Sequence, residues 1–512
     1  MVPAARAAKY RTDGLWDDRG LADGVETAGS RRPDAVAVMD HDHRLTYAAL
    51  ERQVASGVST LRAMGVDSGD AVVLVAGNTV DAVVAYHALL RAGVTVAVLD
   101  RRCGQADVHH ALDALSDRAT IVVPAAEHQR LLTALTNDVM PLERFGEAYR
   151  APEGHAWSEP DRDRPAVVLF TSGTTRRPKG VIHSINTLTA GAANMARITR
   201  ATEESVLFLV SPLTSIAGVM QMHLAADHHA GLVLEDRFDP DVSLDRINAV
   251  GATLLGGAPV IAERLLRAAR RRGTRYVSLR TLALGGAMLP RPLLEMATDE
   301  FGIEIARVYG SSEAPNFSGS TPDDDRERRL SDDGALMPGS EVRVGSGAHA
   351  QEGMVRGPGV FLGYSEPEDN AAAFEADWYR TGDLIEVNGG RLTVVGRLKE
   401  IVNRNGLKIS LNEIDAALEG LPRALEHAAF GLPDRSTGER LAVAVHPENT
   451  TAVTLEDVVD HLLARGVARR KLPEEVVIWN GPLPRTPSGK VVRSRLAMEA
   501  PGKRSQGVER LR

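Results

Sequence analysis

Leu169-Phe170-Thr171-Ser172-Gly173-Thr174-Thr175-Arg176-Arg177-Pro178-Lys179-Gly180-Val181 sets hydroxyls, glycines and a lysine directly behind an apolar, strand-like run, Ala166 to Phe170. A loop of this composition can wrap a polyphosphate. Glycines let backbone N–H groups approach closely, Ser and Thr hydroxyls donate, and the lysine adds a point charge. It is not a Walker loop, because the second glycine follows the lysine and no Gly-Lys-Ser/Thr occurs. On its own the stretch reads either as a non-standard phosphate loop or as a polar surface turn between two strands.

Outward from the loop, hydrophobic patterning implies a layered α/β protein. Arg44 to Met64 reads as a strand entry and then an amphipathic helix, with Leu61 and Met64 spaced for one face. Ala71 to Ala76 has strand length, Asp81 to Arg91 is helical, and Val94 to Leu99 is again a strand. Strand–helix–strand order favours a parallel sheet covered by helices, and the pattern recurs from Val206 to Leu284. Asp323 to Asp333 is a dense charged run without an apolar face and reads as a solvated loop. Ser410 reads as the N-cap of a helix to Glu419, with Glu413 closing a capping box. The tail Pro501 to Arg512 is polar, charged and expected to fray.

Bulk numbers narrow the function. A chain of 512 residues exceeds one compact core, so at least two domains are expected. A net charge of -8 disfavours a general nucleic-acid binder, while 43% hydrophobic and 25% charged residues are ordinary for a globular protein. Cys103 is the only cysteine, which excludes an intrachain disulfide and a structural cysteine-zinc site and fits a reducing cytoplasm. Met1 to Gly20 lacks an apolar signal region, and no apolar run approaches the roughly 18 residues of a membrane span. A cytoplasmic location is expected. The oligomeric state, monomer or homodimer, is left open.

Further short strings follow the loop's theme in order: Leu45-Thr46-Tyr47, Leu90-Arg91-Ala92-Gly93, Gly285-Gly286-Ala287, Tyr309-Gly310-Ser311-Ser312-Glu313, Gly357-Pro358 with Gly363-Tyr364, Tyr379 to Leu384, Gly396 to Glu400 and Pro484 to Lys490. Together with the loop, they resemble the signatures of the adenylate-forming superfamily: acyl-CoA synthetases, nonribosomal peptide synthetase adenylation domains and beetle luciferases. The resemblance spans nearly the whole chain. It implies a large N-terminal domain (1–398) of mixed α/β sheets covered by helices, with a small β subdomain, and a small mobile α+β C-terminal domain (399–512).

The resemblance also implies a chemistry. A carboxylate attacks the α-phosphate of ATP, giving an acyl-adenylate and pyrophosphate; a thiol then takes the acyl group and releases AMP. Thr171, Ser172, Gly173, Thr174, Thr175 and Lys179 are implied to hold the β- and γ-phosphates. Glu313 resembles the glutamate that binds Mg2+, with Ser312 where threonine is usual. Gly286, Ala287, Tyr309 and Gly310 are implied to receive adenine, Asp383 the ribose hydroxyls, and Arg397 to assist. Lys490 resembles the catalytic lysine of adenylation. The hinge of domain rotation is implied at Lys399, after which Asn405 and Gly406 line a thiol tunnel. Arg176 departs from the family's usual glycine, and Asn405 from one of two glycines.

Ser211 to Gly218 aligns with the acyl-pocket motif, with Ser215, Ile216 and Gly218 as pocket residues. It lacks the aspartate that pairs an amino group, which argues against amino acids. Ile216, Ala217, Gly218, Met220, Met222 and Ala287-Met288-Leu289 suggest an apolar lining, although the methionines read equally well as core. Lys9-Tyr10-Arg11 through Trp16 is similar to aryl- and alicyclic-acid ligases. The expected substrate is an apolar monocarboxylic acid. CoA is the expected thiol, since no carrier segment follows the second domain. Loading of a separate carrier protein, a non-catalytic nucleotide-binding homologue, and a luciferase-like oxidase are the alternatives.

Overall fold

The structure is a computed structural model. It describes all residues except 1, 20, 116–118, 132–136, 146–160, 172–177, 288, 348, 405–406, 449–452, 487–489 and 508–512. The chain packs as two compact units, Met1–Val342 with Val355–Tyr379, and Arg343–Met354 with Arg380–Arg512. The first is α/β and the second α+β, the architecture expected.

Two largely parallel sheets organise the larger unit. In one, Val167–Thr171, Thr95–Asp100, Ala71–Ala76, Thr120–Val123 and Val139–Pro141 lie side by side and parallel. Lys179–His183 then adds antiparallel at the Val167–Thr171 edge, and Gly363–Tyr364 pairs beyond it. In the other, Val36–Met39, Gly231–Leu234, Val206–Leu209, Leu254–Gly257, Thr281–Gly285 and Glu304–Tyr309 run parallel in that order. Strands with both faces covered read as continuous apolar runs. Accordingly Val72 and Leu74 face the main core while Val73 and Val75 face a second cluster with Val108 and Leu112.

The main core joins both sheets through the helices Tyr47–Ala63, Val80–Arg91, Ile185–Thr199 and Ile216–His228. Val80–Arg91, expected as a helix over Asp81 to Arg91, is buried except at Asp81 and Arg91. Leu61 and Met64 both reach this core, so the helix face read from their spacing holds.

In the smaller unit, Leu407–Ser410, Ile401–Arg404, Gly438–Pro447, Glu475–Ile478 and Ser505–Gly507 form a sheet, with Ala424–Asp434 also paired to Gly438–Pro447. Side chains alternate across it. Leu441, Val443 and Val445 meet Ile414 and Leu462 on one face, and Ala442 and Ala444 meet Phe430 and Leu496 on the other.

Three local expectations are corrected. Within Asp323–Asp333 a short helix, Arg326–Ser331, is capped by the Asp325 carboxylate and buries Leu330, while Asp333 pairs with the buried Arg307 at 2.7 Å. One apolar side chain and one cap sufficed to order a segment that looked solvated. Ser410 caps Leu411–Leu418 as expected, but the Glu413 carboxylate takes Lys471 at 2.6 Å instead of closing the box. The tail is not frayed at its start: Ser505–Gly507 pairs with Glu475–Ile478, the Gln506 side chain accepts from the Leu455 amide at 2.9 Å, and Lys503 lies over Trp479.

Candidate active site

Parallel strands bring several sequence-distant motifs to one edge. Phe208 is level with Leu255, Leu284 with Gly257, and Gly285 with Val308. Gly257 and Tyr309 end two of these strands, and the segments that follow the strand ends carry Ser211–Gly218, Gly286-Ala287 and Gly310–Glu313. In α/β sheets, ligands gather at the carboxyl ends of parallel strands. Gly286 has φ 77°, which suits glycine at the turn. Gly286 and Ala287 are exposed, and Tyr309 is half-buried, edge-on to Phe317 at 6.5 Å. Gly310 follows the strand end directly.

At the other sheet's edge, Thr171 and Lys179 are cross-strand partners. Between them, Ser172, Gly173, Thr174, Thr175 and Arg176 lie outside the described residues. Lys179 Nζ is 2.5 Å from Asp369 Oδ1 and 4.6 Å from the centre of the Tyr364 ring. The Tyr364 hydroxyl donates to Glu313 Oε1 at 2.7 Å, a charge-assisted bond. Burial and the Glu313 charge raise the Tyr364 phenol above its ordinary range, so it stays a donor. Glu313 is held further by its own carbonyl, which accepts from the Phe361 amide at 2.8 Å.

Ser312 is positioned through its backbone: His183 Nε2 donates to the Ser312 carbonyl at 2.7 Å. His183 is fully buried, and burial pushes its pKa down to about 4, so the ring is neutral at neutral pH. The strand Lys179–His183 thus connects the lysine at one end to the Ser312–Glu313 loop at the other.

Sequence reasoning missed four residues here: Tyr364, Asp369, His183 and Asn78. Tyr364 was visible only as part of a string. Asn78 is buried and donates to the Ser211 and Glu235 carbonyls at 3.0 Å, while its carbonyl accepts from Leu213 at 2.7 Å. It secures the loop leading into the acyl motif, and only its position after the strand Ala71–Ala76 hinted at this.

The acyl motif itself forms a helix start. Ser215 is the N-cap of Ile216–His228; its hydroxyl donates to the Pro212 carbonyl at 2.7 Å and accepts from the Gly218 amide at 3.2 Å. A Cβ on Gly218 would stand 2.3 Å from the Pro212 oxygen, so the helix can approach this loop only with glycine there. Ile216 is partly buried against the main core. Met220 and Met222, 2% and 1% exposed, belong to that core and Leu289 to another. The methionines thus take the core place that the sequence left open, since the inward face of a buried helix uses its apolar residues for packing. Met288 lies outside the described residues. Tyr10 and Trp16 pack edge-on at 5.2 Å, and the Trp16 indole donates to the Pro358 carbonyl at 3.0 Å.

In the smaller unit, Asp383 and Arg397 are cross-strand partners on Trp378–Asn388 and Arg391–Arg397. Asp383, 3% exposed, receives Arg397 Nε at 2.7 Å. Lys490 is exposed; the Thr486 amide donates to its carbonyl at 2.8 Å and its own amide donates to Thr486 Oγ1 at 3.1 Å. Lys399 falls in the turn Leu398–Glu400 between strands. Arg404 and Leu407 pair across a hairpin, while Asn405 and Gly406 lie outside the described residues.

Comparison with known proteins gives the family. Residues 25–365 match the AMP-binding enzyme family and residues 413–490 the AMP-binding enzyme C-terminal domain. A medium-chain fatty-acid–CoA ligase of Escherichia coli (strain K12) is 29% identical over 519 residues, covering 95% of this chain and 91% of its own. A salicyl-AMP ligase / salicyl-S-ArCP synthetase of Mycobacterium tuberculosis is 28% identical, covering 96% of this chain and 92% of its own. The structure of o-succinylbenzoate coenzyme A synthetase from Bacillus subtilis, in complex with ATP and magnesium ion, superposes with a TM-score of 0.82 at 24% identity, covering 92% of this chain and 98% of that one. The chain therefore belongs to the AMP-binding enzyme family, in its AMP-forming acid–CoA ligase branch. No helix among the described residues is long and apolar enough to cross a membrane.

Proposed function

We propose that this enzyme activates an apolar monocarboxylic acid as its acyl-adenylate and transfers the acyl group to CoA. The observation that carries the reading is the linked set Lys179, Tyr364 and Glu313, which joins a phosphate-type loop to a half-buried carboxylate. Lys179 and the hydroxyls and amides of Thr171 to Thr175 bind the β- and γ-phosphates. Gly286, Ala287, Tyr309 and Gly310 receive adenine, and Asp383 with Arg397 the ribose.

Glu313 is the residue to hold Mg2+, with Ser312 beside it. Among the described residues no group of three or more His, Cys, Asp or Glu could cage a metal. Magnesium needs only one or two protein carboxylates when phosphate oxygens and water complete its shell. When bound, the ion neutralises phosphate charge. Lys490 is the ammonium that bridges carboxylate and α-phosphate as charge develops. The domain division at 398/399, rotation about Lys399, and a thiol path past Asn405 and Gly406 belong to the same proposal.

Ser215, Ile216 and Gly218 begin the helix that bounds the acid, and the motif lacks a carboxylate to pair an amino group. The relatives named above take a fatty acid and salicylate, so both aliphatic and aryl acids fit the reading. The second relative also supports a carrier protein as alternative acceptor. The test is pyrophosphate release from ATP and magnesium over fatty, aryl and alicyclic acids, with and without CoA. Turnover that needs CoA and yields AMP and a thioester supports the proposal. A stoichiometric burst that CoA cannot release favours the carrier protein.

A further inference from the structure

Lys179 is already paired. Its ammonium is 2.5 Å from Asp369, with 20% and 29% of the two side chains exposed, and it sits over the Tyr364 ring. Asp369 is held in place rather than swinging freely. It lies on the helix Pro367–Ala373, whose Asn370 accepts from the Tyr364 amide at 2.7 Å and donates to the Tyr364 carbonyl at 2.9 Å. Gly363–Tyr364 is itself paired to Ile182 and Val181 on the lysine's own strand. The same rigid segment therefore presents a carboxylate and an aromatic face to Lys179 and a hydroxyl to Glu313.

An ammonium is a compact charge with three donors on a flexible stem. When a polyphosphate reaches it, the Asp369 carboxylate is left beside several phosphate charges. Like charges at short range repel, more strongly where water is partly excluded. We propose that Asp369 is a resident counter-ion that competes with the nucleotide's phosphates for Lys179 and so weakens ATP binding. This rests on the reading of Lys179 as a phosphate ligand. Asp369 acts through the lysine and is a positioning residue, and its effect is confined to nucleotides carrying β- and γ-phosphates.

The experiment is a calorimetric titration of the full chain with ATP plus magnesium and, separately, with AMP. Wild type, Asp369→Asn, Lys179→Ala and the double variant are compared. Asp369→Asn should tighten ATP binding about fivefold, the effect of a well-formed but part-exposed ion pair. AMP affinity should not move, and the gain should vanish in the Lys179→Ala background. An equal gain in both lysine backgrounds, an equal gain for AMP, or no gain in an Asp369→Asn protein whose Lys179→Ala counterpart still loses ATP affinity overturns the counter-ion role alone. Lys179→Ala binding ATP as wild type does overturns the phosphate role of the lysine and this proposal with it. Asp369→Ser, tested in parallel, separates loss of charge from any effect of the amide.

Discussion

Acid should destabilise this protein through histidines that its core cannot let ionise, and His87→Gln isolates one of them. His87, 3% exposed, lies on the largely buried helix Val80–Arg91, and among the described residues its buried Nδ1 has no hydrogen-bond partner. Burial, aided by Arg91, pushes its pKa from 6.5 down to about 3. His223, whose Nε2 meets the Tyr86 hydroxyl at 3.0 Å, is pushed down by burial and by His87 and His183 to about 3. A depressed histidine pKa means that the unfolded chain binds a proton the native state refuses. Stability is then complete above the unfolded pKa and falls as pH drops through the window from 6.5 to about 3. Between about pH 7.5 and about pH 5, each such histidine removes about 2 kcal/mol, and His87, His183 and His223 together about 6 kcal/mol. That sum is comparable with the whole stability of many domains, about 5–15 kcal/mol. Asp227 works the other way: burial raises its carboxyl to about 7, so acid stabilises it by about 2.5 kcal/mol over the same range.

Comparing wild type with His87→Gln cancels Asp227 and His183, and leaves His223 lowered chiefly by burial in both proteins. Urea unfolding at several pH values should show the variant's stability relative to wild type improving by about 2 kcal/mol from about pH 7.5 to about pH 5. A difference that stays constant across that range would refute the assignment of His87 as a buried neutral histidine.

Lys490→Ala should nearly abolish adenylate formation yet largely spare thioester formation from supplied acyl-adenylate; equal loss of both half-reactions in single-turnover assays would count against a lysine used in one step only. Lys399→Pro, which restricts φ at the proposed pivot, should slow the thioester step more than adenylation, and unchanged thioester kinetics would remove Lys399 as hinge. Gly218→Ala places a methyl 2.3 Å from the Pro212 oxygen and should cost about 1–3 kcal/mol in urea unfolding while raising the KM of the acid; a variant with wild-type stability and KM would show that the helix start has room to move.

Residue types and their order were enough to place this chain in its family. Continuous apolar runs such as Ala71–Ala76 specify buried parallel strands, because burial on both faces leaves no polar positions, and the mostly apolar Val80–Arg91 specifies the helix that follows. Short-range chemistry was legible too: Ser410 as a cap depends only on neighbours a few residues away. Contacts made across the fold were not. Nothing local tells Met220 that it fills the core, Glu413 that Lys471 will claim it, or Lys179 that Asp369 will meet it 190 residues later. Those partners are chosen by which strand edges adjoin, and adjacency of Gly363–Tyr364 to Lys179–His183 is a property of the folded sheet alone. The sequence by itself determined the family, the layered architecture and the kinds of group available for the chemistry. The tertiary structure decided which of them touch, because pairing energies at hydrogen-bond distance exist only after long-range strand pairing has brought the side chains together.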